Sequence, residues 1–386
     1  MEQEKRRGEI PLAGSALILS LRSFCSLRSF VLSALGGVLF FSGPHSAEPA
    51  DLPAPLFVTS YPHGRLTLAG GGDRSLLFVL SKPSGSLFRI NPQNGQESLR
   101  LKGIPHPEDL AVDTGGRRLL VSLDASRSLW VLPVSSGPPV SMTVGLNPGQ
   151  IIRTPTGDLY LAARAVHIIY HLNPVTDRPD GWSAMGDIFP LIASDGKGDL
   201  WLPLSRGEQV ADLSPRTLEI RKIFDIDSCR EPSRVIPLSS GGFVVGCRNA
   251  LLVEGPNGEE TARLRLRGPL SRGVRDMALL PGGHRLLVSF QRCKTLNLYH
   301  LPDLSRISSF HLSYLPVRLY YFEKWPTLFI VMDDLENDRT RLSAYPLSAF
   351  GVPSLSPQIV QKSPPPSPTK LMPRAAPSPS SPRTRS

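Results

Sequence analysis

The residues best equipped for chemistry recur at a fixed interval. Asp109, Gln150, Ile192, Arg234, Arg275 and Arg318 are spaced 41 to 43 residues apart. Each stands two positions beyond Pro107, Pro148, Pro190, Pro232, Gly273 or Pro316. Three guanidiniums brought to one place would offer forked donors suited to a carboxylate, a phosphate or a sulfate. Asp109 and its neighbour Glu108 would bring carboxylates to the same region, as an acid/base pair or as metal ligands. In the competing reading the arginines pair with Glu231, Asp276 or backbone carbonyls and only order the loops.

Cysteine is the second reactive type. Cys25, Cys229, Cys247 and Cys293 are present, with no Cys-x-x-Cys pair to suggest a dithiol redox centre. Cys229 and Cys247 fall at corresponding ends of neighbouring segments, so a Cys229–Cys247 disulfide is expected. Cys247 with Cys293 is the alternative. His167 and His171, four apart on an expected strand, would share a face, but no third zinc ligand accompanies them. The chain has no Walker sequence, no Gly-x-Ser-x-Gly elbow and no His-Glu-x-x-His. No cofactor, metal or catalytic residue is assigned.

What must position these residues is a repeat. Gly-containing turns (Gly70-Gly71-Gly72-Asp73, Thr114-Gly115-Gly116, Thr156-Gly157-Asp158, Lys197-Gly198-Asp199, Ser240-Gly241-Gly242, Gly282-Gly283-His284) each precede an apolar strand. The strand centres Leu77, Leu120, Leu161, Leu202, Val245, Val288 and Ile330 are 43, 41, 41, 43, 43 and 42 residues apart. Seven units of about 42 residues, each with about four strands, predict an all-β, seven-bladed β-propeller of four-stranded antiparallel blades over residues 48–353. The seventh unit runs out after its third strand. Leu56 to Ser60 is expected to supply the fourth and close the ring, with 358–361 as the competing strand. The recurrent prolines lie in the links between blades, so the residues after them gather at the mouth of the central channel.

The ends differ from this body. Arg28, the apolar run Phe30 to Phe41 and the small pair Ser46-Ala47 have the layout of a secretory signal. At about a dozen residues the run is short for a membrane span. Residues 1–47 are therefore expected to be a signal peptide or an N-terminal anchor, placing the protein in the periplasm or outside the cell. Ten of the 34 residues from Pro353 are proline, which predicts a disordered basic tail over 354–386. The formal charge of +10 includes +2 in the first 47 residues and +5 from Pro353 onward, leaving +3 for the body. A nucleic-acid-binding face is not implied. The ends could bring the chain close to a membrane or cell wall, and a monomer is expected.

The stretch Arg118-Leu-Leu-Val-Ser to Ser128-Leu-Trp-Val-Leu, followed by Val144-Gly-Leu-Asn-Pro148 and Thr156-Gly-Asp158, resembles the YVTN-type propeller repeat over roughly residues 55–350. No strand here reads Tyr-Val-Thr-Asn. The resemblance implies an exported bacterial seven-bladed propeller. It fixes no activity, because that architecture serves lactonases, enzyme subunits and binding modules alike. Two roles are therefore expected: a binding or scaffold protein holding an anionic small molecule or partner peptide at Arg234, Arg275, Arg318, Gln150 and Asp109, or a lactonase-like hydrolase using Glu108 and Asp109.

Overall fold

The computed structural model describes residues 50–353, apart from 72–75, 114, 125, 136, 146 and 188–190. The expected signal or anchor (1–47), the basic tail (354–386), the competing strand 358–361 and Pro190 lie outside the described residues.

Seven antiparallel sheets follow one another along the chain, each running from an inner to an outer strand in sequence order. Their inner strands are Leu66–Gly71, Pro107–Val112, Gln150–Arg153, Ala193–Ser194, Arg234–Pro237, Val274–Leu279 and Leu315–Tyr321. Blade 7 has only three consecutive strands of its own; its fourth is Phe57–Pro62, which pairs with Arg339–Pro346 in the register Phe57 to Ala344 through Pro62 to Arg339. The ring is closed by joining the two ends of the described chain, as the sequence implies. Blade 6 gains a fifth, parallel strand, Ala50–Asp51, beside Phe310 and His311.

The burial pattern explains why the second strands are apolar throughout. Leu76–Ser81, Leu159–Ala163 and Leu200–Leu204 are buried at every position, because each blade is covered on both faces by its neighbours. The core accordingly consists of seven clusters, one between each adjacent pair of blades. Phe57 and Tyr61 of the closing strand join the cluster between blades 7 and 1, with Trp325 and Phe329. Outer strands such as Glu97–Leu101 are largely exposed.

One local expectation is corrected. His167 is not in a strand with His171. It takes a left-handed conformation ending the short helical turn Arg164–Val166. The strand begins at Ile168, and His171 Nδ1 meets Asp180 Oδ1 at 2.5 Å.

Candidate functional site at the channel mouth

Inner strands enter the ring at the mouth and second strands end there, so the first residues of one and the last residues of the other meet. Glu108 sits at this junction in blade 2, only 7% exposed. Arg65 Nη1, at the start of blade 1, lies 2.8 Å from its Oε1. Arg164 Nη2, following the second strand of blade 3, reaches the same oxygen at 2.8 Å. Lys82, following the second strand of blade 1, pairs with Oε2. Glu108 thus holds three cations from the blades on either side of it. Sequence reasoning did not single out Lys82 and Arg164. Their signal was position: each directly follows a second strand, at the end that reaches the mouth.

The residues two beyond the link prolines form a second pattern, of hydrogen bonds passed from blade to blade. Asp109 Oδ2 accepts the Ile151 N–H at 2.8 Å. Gln150 uses both ends of its amide on Ile192: Oε1 accepts the N–H at 2.9 Å, and Nε2 donates to the carbonyl at 3.0 Å. Arg234 Nε donates to Asp276 Oδ1 at 2.8 Å, and Asp276 Oδ2 accepts the Leu319 N–H at 2.9 Å. In each case the partner stands 42 or 43 residues further on. Asp109, Gln150 and Arg234 therefore act as clasps between inner strands.

The structure differs from the sequence reading at blade 6. A bulge falls between Val274 and Asp276, so the register position held elsewhere by Asp109, Gln150, Arg234 and Arg318 belongs to Asp276. Arg275 is the bulged residue and is exposed. The same irregularity makes Glu108 the extra residue in blade 2 and Val317 the extra residue in blade 7. Three arginines do not share one register position; two do, with a carboxylate between them. Of the expected competing pairs, Arg234–Asp276 forms as above, and Glu231 pairs at the surface with Arg248.

The electrostatics follow from this crowding. Burial pushes the Asp109 carboxyl up to about 6, against the backbone N–H groups of Ile151 and Leu110 and the charges of Arg65 and Arg318. Burial likewise pushes Arg234 down to about 10, against the pull of Asp276. Burial also opposes the charge on Arg318, but Asp276, Tyr320, Asp109 and Glu108 outweigh it and its pKa is raised. The Arg318 side chain is half-buried and has no hydrogen-bond or ion-pair partner among the described residues. Arg65, Lys82, Arg164, Arg234, Arg275 and Arg318 face only three carboxylates here, Glu108, Asp109 and Asp276.

Cys229, in the link entering blade 5, and Cys247, just after that blade's second strand, are disulfide-bonded with Cα atoms 5.4 Å apart. Cys293 is buried, its Sγ 3.4 Å from the Pro269 carbonyl oxygen. Among the described residues no three His, Cys, Asp or Glu side chains come together as a metal site.

The fold defines the chain as a seven-bladed β-propeller. No protein-family model and no curated protein sequence matches it. Solved structures do. Virginiamycin B lyase from Staphylococcus aureus aligns with a TM-score of 0.60 at 12% identity, over 75% of this chain and 99% of that one. A streptogramin B lyase aligns at 0.59 and 9% identity, over 74% and 97%. A chain of the mitotic checkpoint complex aligns at 0.62 and 12%, over 82% and 99%. At these identities the likeness is one of fold.

Proposed function

We propose that this chain is an exported propeller of the YVTN-repeat kind that acts as a binding module, taking an anionic small molecule or an acidic group of a partner peptide at the channel mouth. One observation carries this reading: the Arg318 guanidinium lies half-buried at the mouth without a hydrogen-bond or ion-pair partner. Its fork of donors is held among fixed charges and needs little ordering to receive an oxyanion. Arg275, exposed beside Arg234, is positioned to add a second cation.

The structural neighbours include lyases and a checkpoint assembly, so the role must be argued from the site rather than the fold. The mouth favours binding over lactonase-like hydrolysis. Glu108 is occupied by three cations and Asp109 by a backbone N–H, so neither carboxylate is poised for a substrate. The apolar run before Ala47 and the Cys229–Cys247 bridge support export.

A thermal-shift series on the full chain with sugar acids, phosphates, lactones and divalent metals tests the reading, because a ligand of the native state raises the melting temperature once it exceeds its dissociation constant. Stabilisation by an anion, abolished in Arg318→Ala, is expected. Stabilisation by a metal together with lactone turnover would replace this reading with the hydrolase, and no shift by any anion would refute a small-molecule site.

A further inference from the structure

Blade 5 carries a second concentration of cationic groups, on its outer edge. Its outermost strand, Glu260–Arg265, continues in extended form through Arg267. The sequence Arg263-Leu264-Arg265-Leu266-Arg267 alternates. Leu264 and Leu266 pack into the core shared with blade 6. The three arginines turn the other way and line one cavity of about 390 Å3, together with Ser228 and Asn249. Successive arginines on this side are about 7 Å apart along the strand.

The three are not equivalent. Arg263 is committed: it pairs with Glu260 and donates to the Asp227 carbonyl at 2.7 Å. Arg265 and Arg267 are exposed, and their side chains have no hydrogen-bond or ion-pair partner among the described residues. The opposite wall is unusually well fixed. Asn249 donates to the Ser228 carbonyl at 2.8 Å and accepts the Arg230 N–H at 2.9 Å. The Leu266 N–H is held by the Asn249 carbonyl at 2.9 Å. Ser228 directly precedes Cys229 and Asn249 lies two residues after Cys247, so the disulfide joins the two segments that form this wall.

We propose that this corner of blade 5 is a site for a tetrahedral oxyanion of the phosphate or sulfate type, gripped by Arg265 and Arg267 against the disulfide-braced wall of Ser228 and Asn249. Two unengaged guanidiniums on adjacent same-side positions match an anion with several acceptor oxygens. The Ser228 hydroxyl on the facing wall is a further donor. Arg263, already neutralised by Glu260, holds the strand in place rather than the ligand. The site uses none of the channel-mouth residues.

Isothermal titration of the full chain with sodium phosphate at low ionic strength, repeated with sulfate, tests the proposal. Saturable binding is expected, weakened at least tenfold in Arg265→Ala/Arg267→Ala and changed less than twofold in Arg318→Ala. Both substituted arginines are exposed and unpartnered, so the double variant should keep the parent melting temperature within about 2 °C, which separates lost binding from lost fold. Cys229→Ala/Cys247→Ala should weaken phosphate several-fold while Arg265 and Arg267 remain. Absence of saturable binding, or binding indifferent to the double arginine variant, overturns the site. Binding lost in Arg318→Ala instead would place the anion at the channel mouth and overturn it equally.

Discussion

Arg234 and Asp276, one blade apart, meet at 2.8 Å, and the second oxygen of Asp276 accepts the Leu319 N–H of the blade beyond. One carboxylate therefore links blades 5, 6 and 7. Both side chains are largely buried, so removing either leaves an uncompensated charge in a poorly solvated place. Asp276→Ala is expected to destabilise the fold by about 3 kcal/mol or more. A lower urea midpoint with an unchanged slope checks it. Asp276→Asn, which can still accept the Leu319 N–H, should cost less.

Glu108 presents the reverse situation, one anion among three cations. Glu108→Gln leaves Arg65, Lys82 and Arg164 facing one another without it. The expected loss is about 3 kcal/mol. Added salt should restore part of it by screening the repulsion, and melting curves at two ionic strengths would show this.

Asp109 makes stability depend on pH in an uncommon sense. Its folded pKa, about 6, is above the unfolded value for an aspartate. Between roughly pH 4 and 6 the folded state binds more protons than the unfolded chain, so this group's contribution falls as pH rises through that window. Glu254, raised to about 7 by burial and by Glu260, acts in the same direction. Asp109→Asn should flatten part of the pH dependence of unfolding between pH 4 and 6. An Asp109 carboxyl carbon that titrates near pH 4 would contradict this.

The Cys229–Cys247 bridge closes a loop of 18 residues. Its loss, by reduction or by paired alanine substitution, is expected to cost about 3 kcal/mol through the freedom returned to the unfolded chain. Unfolding with and without reductant measures it.

The architecture was legible in the sequence because it rests on a period. The Gly turns and apolar second strands recur whatever the side chains at the mouth, and blade closure followed from the missing fourth strand of the last unit. The site was less legible. Counting from the link proline works for Asp109, Gln150, Arg234 and Arg318, but blade 6 has Gly273 in place of the proline, and its bulge moves Asp276 into the position assigned to Arg275. A bulge adds one residue and reverses which neighbour faces the channel. Nothing in Val274-Arg275-Asp276 alone announces it. The bridging role of Gln150 and Asp109 was hidden for another reason: their partners are backbone groups of the next blade, which side-chain identity does not reveal.

Closing the ring with Phe57–Pro62 also sets a timetable. The strand that completes blade 7 leaves the ribosome before any of the blades, yet its nearest partner, Arg339, lies 277 positions beyond Pro62. At about 5–20 residues per second that is a wait of roughly 15–55 s. Throughout it, Phe57 and Tyr61 have half of their final neighbours missing, since Phe329, Leu342 and Ala344 do not yet exist. The last contacts to form are thus those between the oldest and the youngest parts of the chain, and the six finished blades must stay open until they do.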